Sequence, residues 1–85
     1  NGPVDAIFKT IDALVDKQSL NLELLDYIVH AVTEGTDALG EVTVRIKRDN
    51  HIFTGYGADT DVMYASAEAY LNAINKLLDF DSKRN

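Results

Sequence analysis

The stretch from Glu41 to Lys47 constrains this chain most. Val42, Val44 and Ile46 alternate with Glu41, Thr43, Arg45 and Lys47, and that period of two predicts a half-buried strand. The segments around it offer partners. Arg48-Asp49-Asn50-His51 forms a hairpin connection, and Ile52 to Tyr56 is the returning strand. Gly55 and Gly57 mark its end or a close backbone approach. Upstream, Leu22 to Thr33 is apolar in both alternation sets: Leu22, Leu24 and Ile28 in one, Leu25, Tyr27, Val29 and Ala31 in the other. That suits a strand covered on both faces, or on one face by helices and on the other by a partner. A helix competes through Glu23, Leu24 and Leu25, while the β-branched and aromatic second half favours strand. Glu34 to Asp37 is the turn between them.

Helices flank these strands. Pro3 suits a first helical position, and Asp5 places a negative charge in the first turn. Val4, Ile7, Phe8, Ile11, Leu14 and Val15 recur at helical spacing, predicting a helix from Pro3 to Asp16 and a polar loop over Lys17 to Asn21. A last helix spans Thr60 to Asp79, capped by Asp59 or Thr60. Its residues Ala65, Ala69 and Ala73 make a small-residue strip that lets a helix lie close on a sheet. Asp81 to Asn85 reads as a charged, disordered tail. The fold class is α+β: a helix, three antiparallel strands and a helix.

With 85 residues, 8 Lys+Arg against 14 Asp+Glu and a net charge of −6, one small acidic domain is expected. Nucleic acid is disfavoured as a partner. The absence of cysteine excludes a disulfide scaffold and a thiolate metal cluster. No apolar run approaches the roughly 20 residues of a membrane span, and no signal-peptide pattern is present. A cytoplasmic protein is the expectation. The chain begins at Asn1 rather than Met, as a processed chain or a piece of a longer one would.

Catalytic chemistry finds little support. His30 and His51 lie 21 positions apart and show no metal-ligand spacing; His30 is read as a structural strand residue and His51 as surface. Asp59-Thr60-Asp61 lacks the further carboxylates of a calcium loop and is read as a helix cap. Gly55 and Gly57 lack the third glycine or Lys-Ser pair of a phosphate loop. Ser19 and Ser66 have no evident base. The start of the first helix offers exposed N–H groups that would receive a carboxylate, as every helix start does.

Five blocks in order carry a resemblance: Asn1 to Ala6, Leu24 to Val32, Gly35 to Val44, Thr54 to Val62, and Ala65 to Leu77. Together the chain resembles the C-terminal regulatory domain of 2-isopropylmalate synthases, over Asn1 to about Leu78. Residues 1–80 would be the C-terminal part of that domain, and 81–85 a tail.

The resemblance implies a parent enzyme that condenses acetyl-CoA with 2-oxoisovalerate on a catalytic barrel using a divalent metal. It further implies a regulatory domain of two similar β/α units that pairs in a homodimer and binds leucine as feedback inhibitor. In the related citramalate synthases the effector is isoleucine. The fragment itself would hold no cofactor and catalyse nothing. Matching blocks carry the effector pocket onto Asn1, Gly2, Pro3, Val4 and Asp5 at the helix start, onto Leu24, Tyr27 and Ala31 as wall, and onto Ala38 as its closure. Parity sets Tyr27 and Ala31 on one strand face and Leu24 on the other. A bulge between Leu24 and Tyr27, or a pocket between two chains, is needed to bring Leu24 round.

Overall fold

The computed structural model describes residues 2–34 and 37–83, with the side chains of 32–34 and 37 left aside. The order is α1 (Gly2–Val15), α2 (Lys17–Leu20), β1 (Glu23–Glu34), β2 (Asp37–Arg48), β3 (His51–Asp59) and α3 (Val62–Lys83). The strands form one antiparallel sheet in the order β1-β2-β3. Helix, three strands and helix stand as the residue pattern predicts, and β1 is a strand, not the competing helix.

The alternation of β2 decides which face is covered. Val42, Val44 and Ile46 are at most 1% exposed and face the helices. Across the ladder Val44 meets Tyr27 and Gly55, and Val42 meets Val29 and Gly57. Paired residues share a face, so one row from each strand points to the side of α1 and α3. Glu41, Thr43, Arg45 and Lys47 belong to the other face, which carries no helix.

Helix α3 rests on β3 through its alanine strip. Ala65, Ala69 and Ala73 are fully buried. A β-carbon on Gly55 would collide with the Ala69 carbonyl oxygen and the Ala73 amide, and one on Gly57 with the Ala65 carbonyl. The two glycines therefore serve close helix–strand contact, which excludes a phosphate loop. Tyr70, Ile74 and Leu77 reach over β2 to complete the core with Val4, Phe8 and Ile11 of α1.

Several boundaries differ from the sequence reading, each for a local reason. Asp16 takes a left-handed conformation (φ 54°) that ends α1, and its carboxylate accepts the Ser19 hydroxyl proton at 3.0 Å. The expected loop is thus the short helix α2. The cap of α3 is Asp61, neither Asp59 nor Thr60: its carboxylate accepts the Met63 N–H at 2.9 Å. Strands β2 and β3 run longer than the alternation alone predicted. Helix α3 continues past Asp79 to Lys83. Asp81 lies in that helix and is gripped by the two terminal guanidinium nitrogens of Arg48, while Phe80 packs on His51 and Phe53. Of the tail expected as disordered, residues 84–85 lie outside the described residues.

The sheet edge at β3 is blunted along its length, and that at β1 only at its Leu25 end. On the outer edge of β3, Asn72 accepts the Tyr56 N–H at 3.0 Å, Glu68 accepts the Ala58 N–H at 2.9 Å, and Lys76 donates to the Thr54 carbonyl at 2.6 Å. These side chains, four residues apart on α3, occupy groups that another strand would need. Edge β1 carries a register shift between Leu24 and Asp26, a bulge at Leu25 of the kind that interrupts edge pairing.

Candidate effector site and association surface

Helix α1 lies alongside α3 and runs the same way. Pro3 shares a cleft with Met63, and further along Asp12 accepts the Tyr70 hydroxyl proton. The start of α3 meets the start of β2, where a β-carbon on Gly40 would touch Val62. The first turn of α1 therefore sits at the end of the molecule where Ala31 pairs with Gly40 and Ala38 with Thr33.

Tyr27 anchors the floor there. Its ring meets Phe8 edge-on with centroids 5.6 Å apart. Its hydroxyl lies 2.7 Å from the Ser66 oxygen, whose own proton goes to the Val62 carbonyl at 2.6 Å. Ser66 has a single proton, so Tyr27 is the donor. Ser66 is thus a satisfied buried hydroxyl. Beyond Tyr27 on the helix-facing row, Val29 is 45% exposed although its partner Val42 is buried, and Ala31 is exposed. Apolar strand surface is left uncovered beside the α1 start.

The residues assigned to the pocket divide accordingly. Gly2, Pro3 and Asp5 are exposed on the first turn of α1, whereas Val4 is buried in the core. Room exists at Gly2, since a β-carbon there would meet nothing within 4 Å. Tyr27, Ala31 and Ala38 belong to the same end of the sheet. Leu24 does not. The bulge brings it onto the helix-facing row, opposite Ile46, so the parity difficulty is resolved. Yet seven residues of strand, roughly 20 Å, separate it from Ala31, more than one amino acid spans within a single chain. Asn1 lies outside the described residues. Sequence reasoning missed Val29; its place between Tyr27 and Ala31 in the same alternation set was the available signal. It also missed the outer groove between the helices, a cavity of about 430 Å³ lined by Pro3, Ala6, Ile7, Met63, Ala67 and Leu71, among others.

The open sheet face is the second surface. Its rows across the sheet are Asp26–Arg45–Thr54, Ile28–Thr43–Tyr56 and His30–Glu41–Ala58. Arg45 and Asp26 pair at 2.7 Å. Ile28 is 42% exposed and Tyr56 61%. Among the described residues, no group of three or more His, Asp or Glu side chains could hold a metal ion. No helix among them is long and apolar enough to cross a membrane.

The model of the LeuA allosteric (dimerisation) domain matches residues 1–78. The chain belongs to this domain family. Curated relatives agree with the assignment. A 2-isopropylmalate synthase of Prochlorococcus marinus (strain MIT 9211) is 51% identical over 82 residues, covering 96% of this chain and 15% of the relative. That of Nitrosococcus oceani is 55% identical over 78 residues, covering 92% and 15%. That of Aromatoleum aromaticum is 57% identical over 77 residues, covering 91% and 14%. The chain thus spans about one seventh of the relatives it matches. No solved structure matches it. The resemblance seen in the five blocks is therefore the family relationship, and the chain is a regulatory, dimerisation-type domain of the 2-isopropylmalate synthase kind.

Proposed function

We propose that this domain senses leucine for a 2-isopropylmalate synthase and associates as a homodimer in the cytoplasm. The parent enzyme condenses acetyl-CoA with 2-oxoisovalerate on a separate metal-dependent barrel of the same chain. The observation that carries the reading is the uncovered apolar strand surface, Val29 and Ala31 beyond Tyr27, at the end of the sheet where α1 begins. The helix start offers N–H groups and a positive dipole end to a carboxylate. Asp5 in that turn is the anion for the ammonium group. Tyr27, Val29, Ala31 and Ala38 suit a branched aliphatic side chain. Inhibition then arises because leucine binds the inhibited arrangement more tightly than the active one, and that difference in affinity is the coupling energy. Leu24, at the far end of β1, would contribute only to a pocket between two chains.

Isoleucine sensing for a citramalate synthase is the alternative with the same pocket. A dimerisation module without effector is the other, favoured by the exposed apolar residues of the open sheet face. Gly2→Asp in the full-length enzyme separates an effector pocket of either kind from a dimerisation module. It fits sterically and sets a negative charge where the carboxylate would bind. Leucine inhibition should disappear while uninhibited condensation persists. Inhibition left intact would rule out the helix-start pocket.

A further inference from the structure

We infer that Ser66 is a positioning residue of the effector site: its hydroxyl holds the Tyr27 phenol and ties the strand surface beyond Tyr27 to the first turn of α3. The inference rests on the leucine-sensing reading and adds to it a residue of α3 that touches no ligand. Ser66 belongs to the fully buried face of α3 with Ala65, Ala69 and Ala73. An alanine would complete that strip as well, and a buried hydroxyl costs free energy unless it is bonded. Its bond to the Val62 carbonyl, at 2.6 Å, adds no stability to the helix. What the hydroxyl contributes lies across the layer: an acceptor for the Tyr27 proton at 2.7 Å.

The two bonds act in series. Because its single proton goes to Val62, the Ser66 oxygen presents only lone pairs to β1, and this fixes the direction from which the phenol approaches. The Tyr27 ring is thereby pinned at both ends, by Ser66 at its hydroxyl and by Phe8 edge-on. It bridges α3 and α1 and leaves Val29 and Ala31 uncovered beside it. The contacts close into a circuit at this end of the molecule. Ala31 pairs with Gly40, Gly40 lies against Val62, Val62 holds Ser66, and Ser66 holds Tyr27, on the same strand row as Ala31. A phenol deprived of this acceptor has to reach water instead. The uncovered side of the row is at Val29 and Ala31, where the effector side chain would lie.

Calorimetric titration of the full-length enzyme with leucine tests this, on the wild type, Ser66→Ala, Tyr27→Phe and the double variant. Each single substitution should weaken leucine binding by about three- to tenfold, the size of one hydrogen bond's net contribution. The double variant should bind no more weakly than the weaker single one, because both changes remove the same link. A loss of packing alone would not give that non-additivity. Thermal unfolding checks that each variant is folded. Tyr27→Phe keeps the ring and removes only the hydroxyl, so its unchanged affinity would overturn the inference even if Ser66→Ala did not fold. A wild-type enzyme that binds no leucine would defeat the leucine reading and this inference with it. Leucine binding by the wild type and equally by Ser66→Ala would leave that reading standing and overturn the role of Ser66. Additive losses would overturn it too, since Ser66 would then act other than through Tyr27.

Discussion

At the scale of single residues, the contact between α3 and β3 depends on side chains that are missing. Gly55 and Gly57 leave room for the backbone of α3, and Ala65, Ala69 and Ala73 fill it. Gly55→Ala forces the helix away from the sheet, because the obstructing atoms are a carbonyl and an amide of the helix backbone rather than a flexible side chain. Overpacking costs about 1–3 kcal/mol where side chains can adjust, so a loss at or above about 3 kcal/mol is expected in urea denaturation. Gly2→Ala is the matched control: it meets open space and should change stability by less than about 0.5 kcal/mol. The alanine strip was legible in the sequence as helical spacing. The role of the glycines was only half legible, since their obstruction comes from a helix whose position the strand residues do not encode.

Among the elements, the joint between α1 and α3 carries a titratable group in the core. Tyr70 is 1% exposed, packs against Phe8 with tilted rings and centroids 4.6 Å apart, and donates a hydrogen bond to Asp12. Burial first, then the bond to Asp12, pushes its phenol well above the ordinary tyrosine value. Below a pH of about 10 the phenol is neutral in both folded and unfolded chains, and its contribution to stability is whole. Above that pH the unfolded chain ionises while the folded one holds its proton, so stability falls as pH rises. Tyr70→Phe should flatten this alkaline decline in urea midpoints and cost about 1 kcal/mol near neutrality. An equal alkaline slope in both proteins would show that Tyr70 is not its source. Elements with strict periodicity, α1 and β2, were readable from their own residues. The bulge at Leu25 was not, because it reflects how Leu24 and Asp26 register against Ile46 and Arg45. The length of α3 was not either, because the guanidinium holding Asp81 belongs to Arg48, 33 positions away.

For the whole molecule, the two faces of the sheet differ. Helix α1 and the strand surface beyond Tyr27 would take the effector, and the open sheet face carries the exposed apolar residues Ile28 and Tyr56. Both involve β1, through alternate residues: Tyr27, Val29 and Ala31 on one side, Asp26, Ile28 and His30 on the other. A shift in β1 on binding leucine would thus be felt on both faces of the sheet. The sequence made half of this legible: both alternation sets of β1 are apolar, so two partners were foreseeable. Which residues share the effector end required the fold, since only the shared direction of α1 and α3 brings Gly2 and Pro3 to the Ala31 end and leaves Leu24 at the other. The most direct measurement is calorimetric titration of the full-length enzyme with leucine and with isoleucine. Saturable heat with leucine, and binding at least about tenfold weaker with isoleucine, is the predicted result. Absent or equal binding of the two would contradict the assignment of leucine as the effector.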